Sequence, residues 1–379
     1  MNTNIKKKIY LDNNATTPLA PEVFQAVVTA LHVFGNPSSI HSFGRESKTL
    51  LINARDSIAK FFSVTPQELV FTSSGTEAIN MVLRGFFGNQ LRGHIITSAV
   101  EHAAVYQTCK ALEAGGCKVS YLLPGSHGAL QLEQIQQAVT QETRFIVLAA
   151  ANSETGVKTD IHAIARFAKE RGIAFVVDGV AILGKEQFSI PDGVSAICFS
   201  GHKIHAPKGI GVAIIRKSMK LHPYLTGGTQ ETGRRAGTED IAAVVGFAKA
   251  IELLQHTLPE AVTRMSHLRD HFEKKLMAAL DGVLINGEGD RISNTSNLAF
   301  SNIDGDALLI QLDLAGIAAS HGSACATGAL EPSRVLLNMG LPRQRAAASV
   351  RFSLSRYTTE AEIEEAILRI IICVQQLRM

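Results

Sequence analysis

The sequence has almost no charge imbalance: its formal net charge is +3 at pH 7 over 379 residues. The one notable basic run, Lys6-Lys7-Lys8, stands at the N-terminus ahead of an apolar strand, so no nucleic-acid surface is expected. Long apolar runs are also missing. The longest, "FIVLAAA" and "IIICV", fall well short of the roughly 18 residues that read as a bilayer span, and no apolar stretch of the secretory kind follows the lysines. The expectation is a cytoplasmic protein without a membrane anchor. The five cysteines, Cys109, Cys117, Cys198, Cys325 and Cys373, are odd in number and have no CxxC spacing, which argues against a disulfide framework and against a zinc site. No bound metal is expected. Internal repeats and low-complexity linkers are likewise lacking, and 46% hydrophobic with 19% charged residues is ordinary globular composition.

What is present is an alternation. From about Leu69 to Ile215, short apolar runs alternate with amphipathic helical stretches: "ELVFTSSGTEAINMVLRG" reads strand, glycine loop, helix, and "HIITSAVEHAAVYQTCKALEAGG" repeats it. Asp160 and Gly172 bracket the helix "IHAIARFAKER", and "IAFVVDG" follows as a strand. This pattern predicts a mostly parallel α/β sheet covered on both faces. After about Gln255 the texture changes to a helix over Pro259 to Leu280, short strands, a Gly/Ser/Ala-rich segment and a final helix, which reads as a smaller α+β lobe. In the final helix Ile363, Ala366, Ile367, Ile370, Ile371 and Val374 share one face.

In parallel sheets, ligands bind outside the carboxyl ends of the strands. Five polar clusters fall there: Ser73 to Thr76, Glu101-His102, Asn152 to Glu154, Asp178, and Ser200 to Lys203. Lysine is rarely buried unless it is paired or its charge is removed, so Lys203 at the end of "AICFS" is either reaching for water or chemically engaged. With Asp178 it forms the pair that pyridoxal phosphate (PLP) chemistry requires, an aspartate for the pyridine nitrogen and a lysine for the Schiff base. Gly75 and Thr76 at a helix start supply an anion cradle, to which Ser200 and His202 can add donors. Each of these signals alone has an ordinary structural explanation; their convergence on one rim does not.

The segments "YLDNNATTPLAPEV", "GNPSSIHSFGRE", "VFTSSGTEAIN", "VEHAAV", "SGHKIHAPKGIGV", "RRAGTED", "SHGSACATGALEPS" and "SVRFSLSRYTTEAEI" resemble the signatures of the NifS/IscS-type cysteine desulfurases, class V aminotransferases within PLP fold type I. The resemblance runs from about Tyr10 to the C-terminal helix. It implies a large domain over residues 16–256 with a mostly parallel seven-stranded sheet, and a small α+β domain from 1–15 and 257–379 that carries the catalytic cysteine. It implies Lys203 as the cofactor-bearing lysine, Asp178 on the pyridine nitrogen, His102 over the ring as a catalytic group, and Gly75, Thr76, Ser200 and His202 at the phosphate. Ser153 would lie beside the cofactor, and Thr238 would reach it from the other subunit of a homodimer. Arg351, Asn13 and Asn152 would meet the substrate, L-cysteine. Cys325 would take its sulfur as a persulfide and pass it to a protein acceptor for iron–sulfur assembly or thiolation. The residues around Cys325 are small and cannot pack a core, unlike those around the other four cysteines.

Two positions depart from the family pattern. Ser153 stands where a second asparagine is usual, and Ala181 where a glutamine is usual, each removing a neutral hydrogen-bonding group whose net contribution is about 0.5–1.5 kcal/mol. Two alternatives remain open on the sequence: a selenocysteine lyase-like enzyme, and a PLP-fold scaffold protein weakened in catalysis.

Overall fold

Residues 8–322 and 331–379 are described by the computed structural model; Cys325 lies outside them. Strands β1 (Leu69–Thr72), β2 (His94–Ser98), β3 (Lys118–Leu122), β4 (Thr143–Ala149), β5 (Ala174–Asp178), β6 (Val194–Ser200) and β7 (Gly211–Ile215) form one seven-stranded sheet, in the order β1-β7-β6-β5-β4-β2-β3. β7 runs antiparallel to both neighbours, and the other pairs are parallel. The apolar runs of the sequence are continuous because both faces are covered. On β5, Phe175 and Val177 face a core shared with the helices Pro21–Leu31, Ser42–Phe62 and Ile161–Glu170. Val176, between them, faces the opposite core with the helices Gly75–Phe87 and Ala103–Ala114, as the two-residue period of a strand demands.

Chain progression reverses around β2: β3 lies on one side of it and β4 on the other, followed by β5 and β6. Such a switch point opens a crevice at the carboxyl ends of the strands. The residues after β2, β4, β5 and β6 are those the sequence singles out.

A second, three-stranded antiparallel sheet is built from Val283–Ile285, Thr295–Phe300 and Ser349–Ser353, with Thr295–Phe300 in the middle. Its own core takes Ile9 and Leu11 from the N-terminal segment and the Ile363, Ala366, Ile367, Ile370 and Val374 face of the helix Glu360–Arg378.

One expectation is corrected here. The sequence suggests a helix beginning at Pro259, whereas a single helix spans Ile241–Ala279 with Pro259 inside it. An internal proline costs about 3 kcal/mol. That cost is offset because the helix packs Ile251 and Leu254 into the large-sheet core and Leu268, Phe272 and Leu276 into the small-sheet core, so breaking it would uncover both. The helix is also long and apolar enough to cross a membrane, a length that the apolar runs of the sequence do not suggest; here its apolar residues are committed to these two cores. It runs unbroken through residues 256 and 257, where we propose the boundary between the two units.

Candidate active site

The switch-point crevice holds a cavity of ≈ 190 Å³. Lys203 enters it because β6 ends at Ser200 and the chain turns through Gly201–Lys203. Gly201 is required at that turn, since a Cβ there would stand 2.6 Å from Ile210 Cγ2 and 3.0 Å from the Pro207 carbonyl. The Lys203 amine donates to the carbonyl of Ala15 at 2.8 Å and to that of Asn14.

Asp178 closes β5 and is buried, with Oδ1 accepting from the Val180 N–H at 3.0 Å. Burial pushes its pKa up, while His102 and Lys203 pull it down. Glu101, also buried, accepts from the Ala149 N–H at 2.8 Å; burial first, and then the charge of Asp178, raise its pKa well above the carboxylate range. Burial thus disfavours the charged form of both carboxyls, and at Asp178 it is opposed by His102 and Lys203. His102 caps the helix Ala103–Ala114, its Nδ1 accepting from the Ala104 N–H at 3.1 Å, which leaves the ring proton on Nε2. Burial lowers its pKa, with Asp178 opposing, so it faces the cavity as a neutral ring.

At the other end Gly75 opens the helix Gly75–Phe87. A Cβ on it would lie 3.0 Å from Val180 Cγ2 and 3.2 Å from Ser200 Cβ, so the close approach of these elements depends on glycine. The Ser74 hydroxyl accepts from the Glu77 N–H at 3.1 Å, while the Gly75 and Thr76 N–H groups belong to the first turn, which has no intrahelical acceptors. Ser200 and His202 line the same end. The pKa of His202 is pushed down to about 4 by burial and then by Lys203, Lys185 and Lys208, so it offers a neutral donor and no charge.

The third wall comes from the small sheet. Arg351 on Ser349–Ser353 is 1% exposed. Its Nη2 bonds Asp12 Oδ1 at 2.8 Å, its Nη1 donates to the Ser153 carbonyl at 3.1 Å, and its Nε is buried with no partner among the described residues. A buried guanidinium with a donor to spare, at a cavity wall, suits an incoming carboxylate.

Of the residues singled out in the sequence, Gly75, Thr76, His102, Asn152, Ser153, Asp178, Ser200, His202, Lys203 and Arg351 all line this cavity. Asn152 does so with its amide already engaged, donating to the Val100 carbonyl at 3.0 Å and accepting from the Glu154 N–H at 2.9 Å. Asn13 turns instead into the small sheet, donating to the Ser353 carbonyl at 2.8 Å, and does not line the cavity; its neighbour Asn14 does. Thr238 is exposed and lies off the cavity of its own chain. Ala181 lines the cavity, and where the usual glutamine would offer a donor it offers only a methyl group. Sequence reasoning missed Lys185, which is buried and lines the cavity. Its signal is the same as that of Lys203: it ends an apolar run, "VAILGK".

Comparison with known proteins shows the family. The model of the family described as Aminotransferase class-V matches residues 9–366. A cysteine desulfurase of Nostoc sp. is 44% identical over 363 residues, covering 95% of this chain and 91% of that protein. The cysteine desulfurase NifS of Azotobacter vinelandii is 40% identical over 375 residues, covering 98% and 93%. A solved NifS-like protein superposes with a TM-score of 0.91 at 34% identity, covering 98% of this chain and all of that one. The chain belongs to the class V aminotransferase family, and within it to the cysteine desulfurases.

Proposed function

We propose that the cavity binds PLP and that L-cysteine is desulfurated there, with the sulfur passing to Cys325. The observation that carries this reading is the meeting of three groups from distant parts of the chain at one cavity: the Lys203 amine, the buried Asp178 carboxylate and the Arg351 guanidinium with its spare donor. The residues fit the cofactor. Gly75, Thr76, Ser200 and His202 would hold the phosphate, Asp178 the pyridine nitrogen, His102 a ring face, and Lys203 the aldehyde carbon; Ser153 would lie near the ring. Bound there, PLP supplies an electron sink that makes the Cα proton of the amino acid acidic.

The roles of the chain's own residues follow. Arg351 binds the substrate carboxylate, and the Lys203 amine takes the Cα proton. The Cys325 thiolate attacks the substrate sulfur: an S–S bond forms, the Cβ–S bond breaks, and its electron pair stays on carbon, which is protonated so that alanine leaves. Support for Cys325 also comes from the other thiols. Cys109, Cys117, Cys198 and Cys373 are buried, and burial raises the pKa of Cys109 to about 12, of Cys198 well above its usual value, and of Cys117 upward. Such thiols are poor nucleophiles.

We place the enzyme in the cytoplasm as a homodimer that hands its sulfur to an acceptor protein. The test is the reaction of PLP-loaded protein with L-cysteine under single-turnover conditions. Alanine and one persulfide per chain are expected in equal amounts, with the persulfide mapped to Cys325. Alanine formed without any protein persulfide would overturn the role of Cys325 in favour of direct release of reduced sulfur.

A further inference from the structure

Arg334 opens the short helix Arg334–Asn338, does not line the cavity, and takes no part in the desulfuration chemistry above. Its half-buried guanidinium reaches the chain on both sides of His102. Nη1 donates to the Ala99 carbonyl, and Nη2 to the carbonyl of Glu101, the residue just before the imidazole. The Cζ of the same group stands over the ring of Tyr106, 4.1 Å from its centroid. Tyr106 lies one turn beyond His102 on the helix that His102 caps, its N–H donating to the His102 carbonyl at 3.0 Å. The rest of the turn after β2 is held in the same manner: Asn338 donates to the Ala99 carbonyl at 2.8 Å, and Asn152 to the Val100 carbonyl at 3.0 Å. Successive carbonyls of Ala99, Val100 and Glu101 thus accept from side chains of other elements. Val100 also shares an apolar cluster with Val335 and Leu336 of the Arg334 helix.

We propose that Arg334 is a positioning residue for His102: by holding the carbonyls before it and the Tyr106 ring after it, Arg334 fixes where the imidazole stands in the cavity. A planar guanidinium can bond two carbonyls in its own plane while its face stacks on an aromatic ring; a lysine ammonium cannot do both. The imidazole needs this support because its own hydrogen bond is local. Nδ1 accepts from the Ala104 N–H at 3.1 Å, which orients the ring against its own helix and leaves the placing of that helix end to other contacts. Misplacing a reacting group by about 1 Å can slow a reaction by up to about 100-fold. The inference rests on the reading of the cavity as the cofactor site, with His102 over the ring.

The test uses Arg334→Met, which keeps the length without the donors, and Arg334→Lys, which keeps the charge without the fork. In full-length protein without added PLP, nitrogen NMR of the His102 imidazole reports which ring atom holds the proton. Wild type is expected to show one tautomer, with the proton on Nε2, and Arg334→Met an averaged pattern. In PLP-loaded protein the single-turnover rate of alanine formation should fall roughly tenfold in Arg334→Met and less in Arg334→Lys, at an unchanged half-saturating concentration of L-cysteine. Adding Arg334→Met to His102→Ala should slow the reaction no further, since the two residues act as one unit. Additive losses, a raised half-saturating concentration without a slower rate, or an imidazole spectrum that Arg334→Met leaves unaltered would each overturn the proposal. A His102→Ala protein as fast as wild type overturns instead the placing of His102 over the reacting atoms, and the imidazole spectrum then decides on Arg334 by itself. Should Arg334→Met not fold, Tyr106→Leu removes the ring under the guanidinium and is expected to move spectrum and rate in the same direction by a smaller factor. No change in either there overturns the proposal.

Discussion

Asp12 Oδ1 lies 2.8 Å from Nη2 of Arg351, joining residues 339 positions apart into one ion pair at the cavity wall. The carboxylate supplies the counter-charge that lets a guanidinium stay dry before any substrate arrives. Asp12→Ala leaves that charge unpaired and is expected to destabilise the protein by about 3–5 kcal/mol. Asp12→Asn, which keeps an acceptor, should cost less, about 1–3 kcal/mol. Urea unfolding midpoints distinguish the two. Arg351→Lys cannot span Asp12, the Ser153 carbonyl and a substrate carboxylate together, and a KM for L-cysteine raised roughly tenfold or more is expected; an unchanged KM would remove Arg351 from substrate binding.

The cysteines offer a direct chemical readout. A thiol reagent added to native protein should leave Cys109, Cys117, Cys198 and Cys373 unlabelled until denaturant is present, because all four are buried. Fast labelling should map to Cys325 alone and vanish in Cys325→Ser. That variant is still expected to change the cofactor absorbance when L-cysteine is added, but to transfer no sulfur.

Ser153 and Ala181 should slow the enzyme without disabling it. The Ser153 carbonyl already accepts from Asn14 at 3.1 Å and from Arg351 at 3.1 Å, so the backbone there is fixed whatever the side chain. What is lost is a neutral donor at Ala181 and the reach of the longer amide at Ser153, a net effect of about 0.5–1.5 kcal/mol or up to roughly tenfold each. The double change Ala181→Gln with Ser153→Asn should raise turnover or cofactor affinity. No gain in either would mean that water already fills both gaps.

Thr238 tests the homodimer. It is exposed on its own chain, and the proposed role puts it at the partner's phosphate. Reassorted mixtures of Thr238→Ala and Lys203→Ala subunits should give activity that departs from the sum of the parents, since some mixed dimers hold one site free of both defects. Simple additivity would separate Thr238 from any shared site.

Acid should weaken the fold through His205. Its Nδ1 lies 2.8 Å from the Pro18 carbonyl, and burial, with Arg356 and Lys185, lowers its pKa from 6.5 to about 3. Between those values the unfolded chain binds the proton and the folded chain does not, so stability present above pH 6.5 declines as pH falls towards 3. His202, lowered to about 4, acts in the same direction. His205 sits at φ +69°, a conformation asparagine tolerates well, so His205→Asn should fold and flatten the dependence of the urea midpoint on pH. An unaltered slope would exclude His205 as its source.

Local spacing alone determined much of this protein. A strand that ends on a polar cluster must present that cluster at the sheet's edge, so the order of residues along the chain suffices to put Asp178, Lys203, His102 and the Gly75 turn on one rim. The helix through Pro259 is different, because its continuity depends on two cores that only the folded chain brings together. Nor does spacing reveal that Lys185 touches Lys203, a contact between two separate turns. The asparagine pair is the clearest case. Asp12 bridges to Ser353, and that register turns Asn13 into the small sheet and sends Asn14 to the cavity. Residues 13–15 turn after that bridge, so the direction of each asparagine depends on the pairing with a strand 340 residues away: the sequence points to Asn13, and Asn14 is the one that lines the cavity.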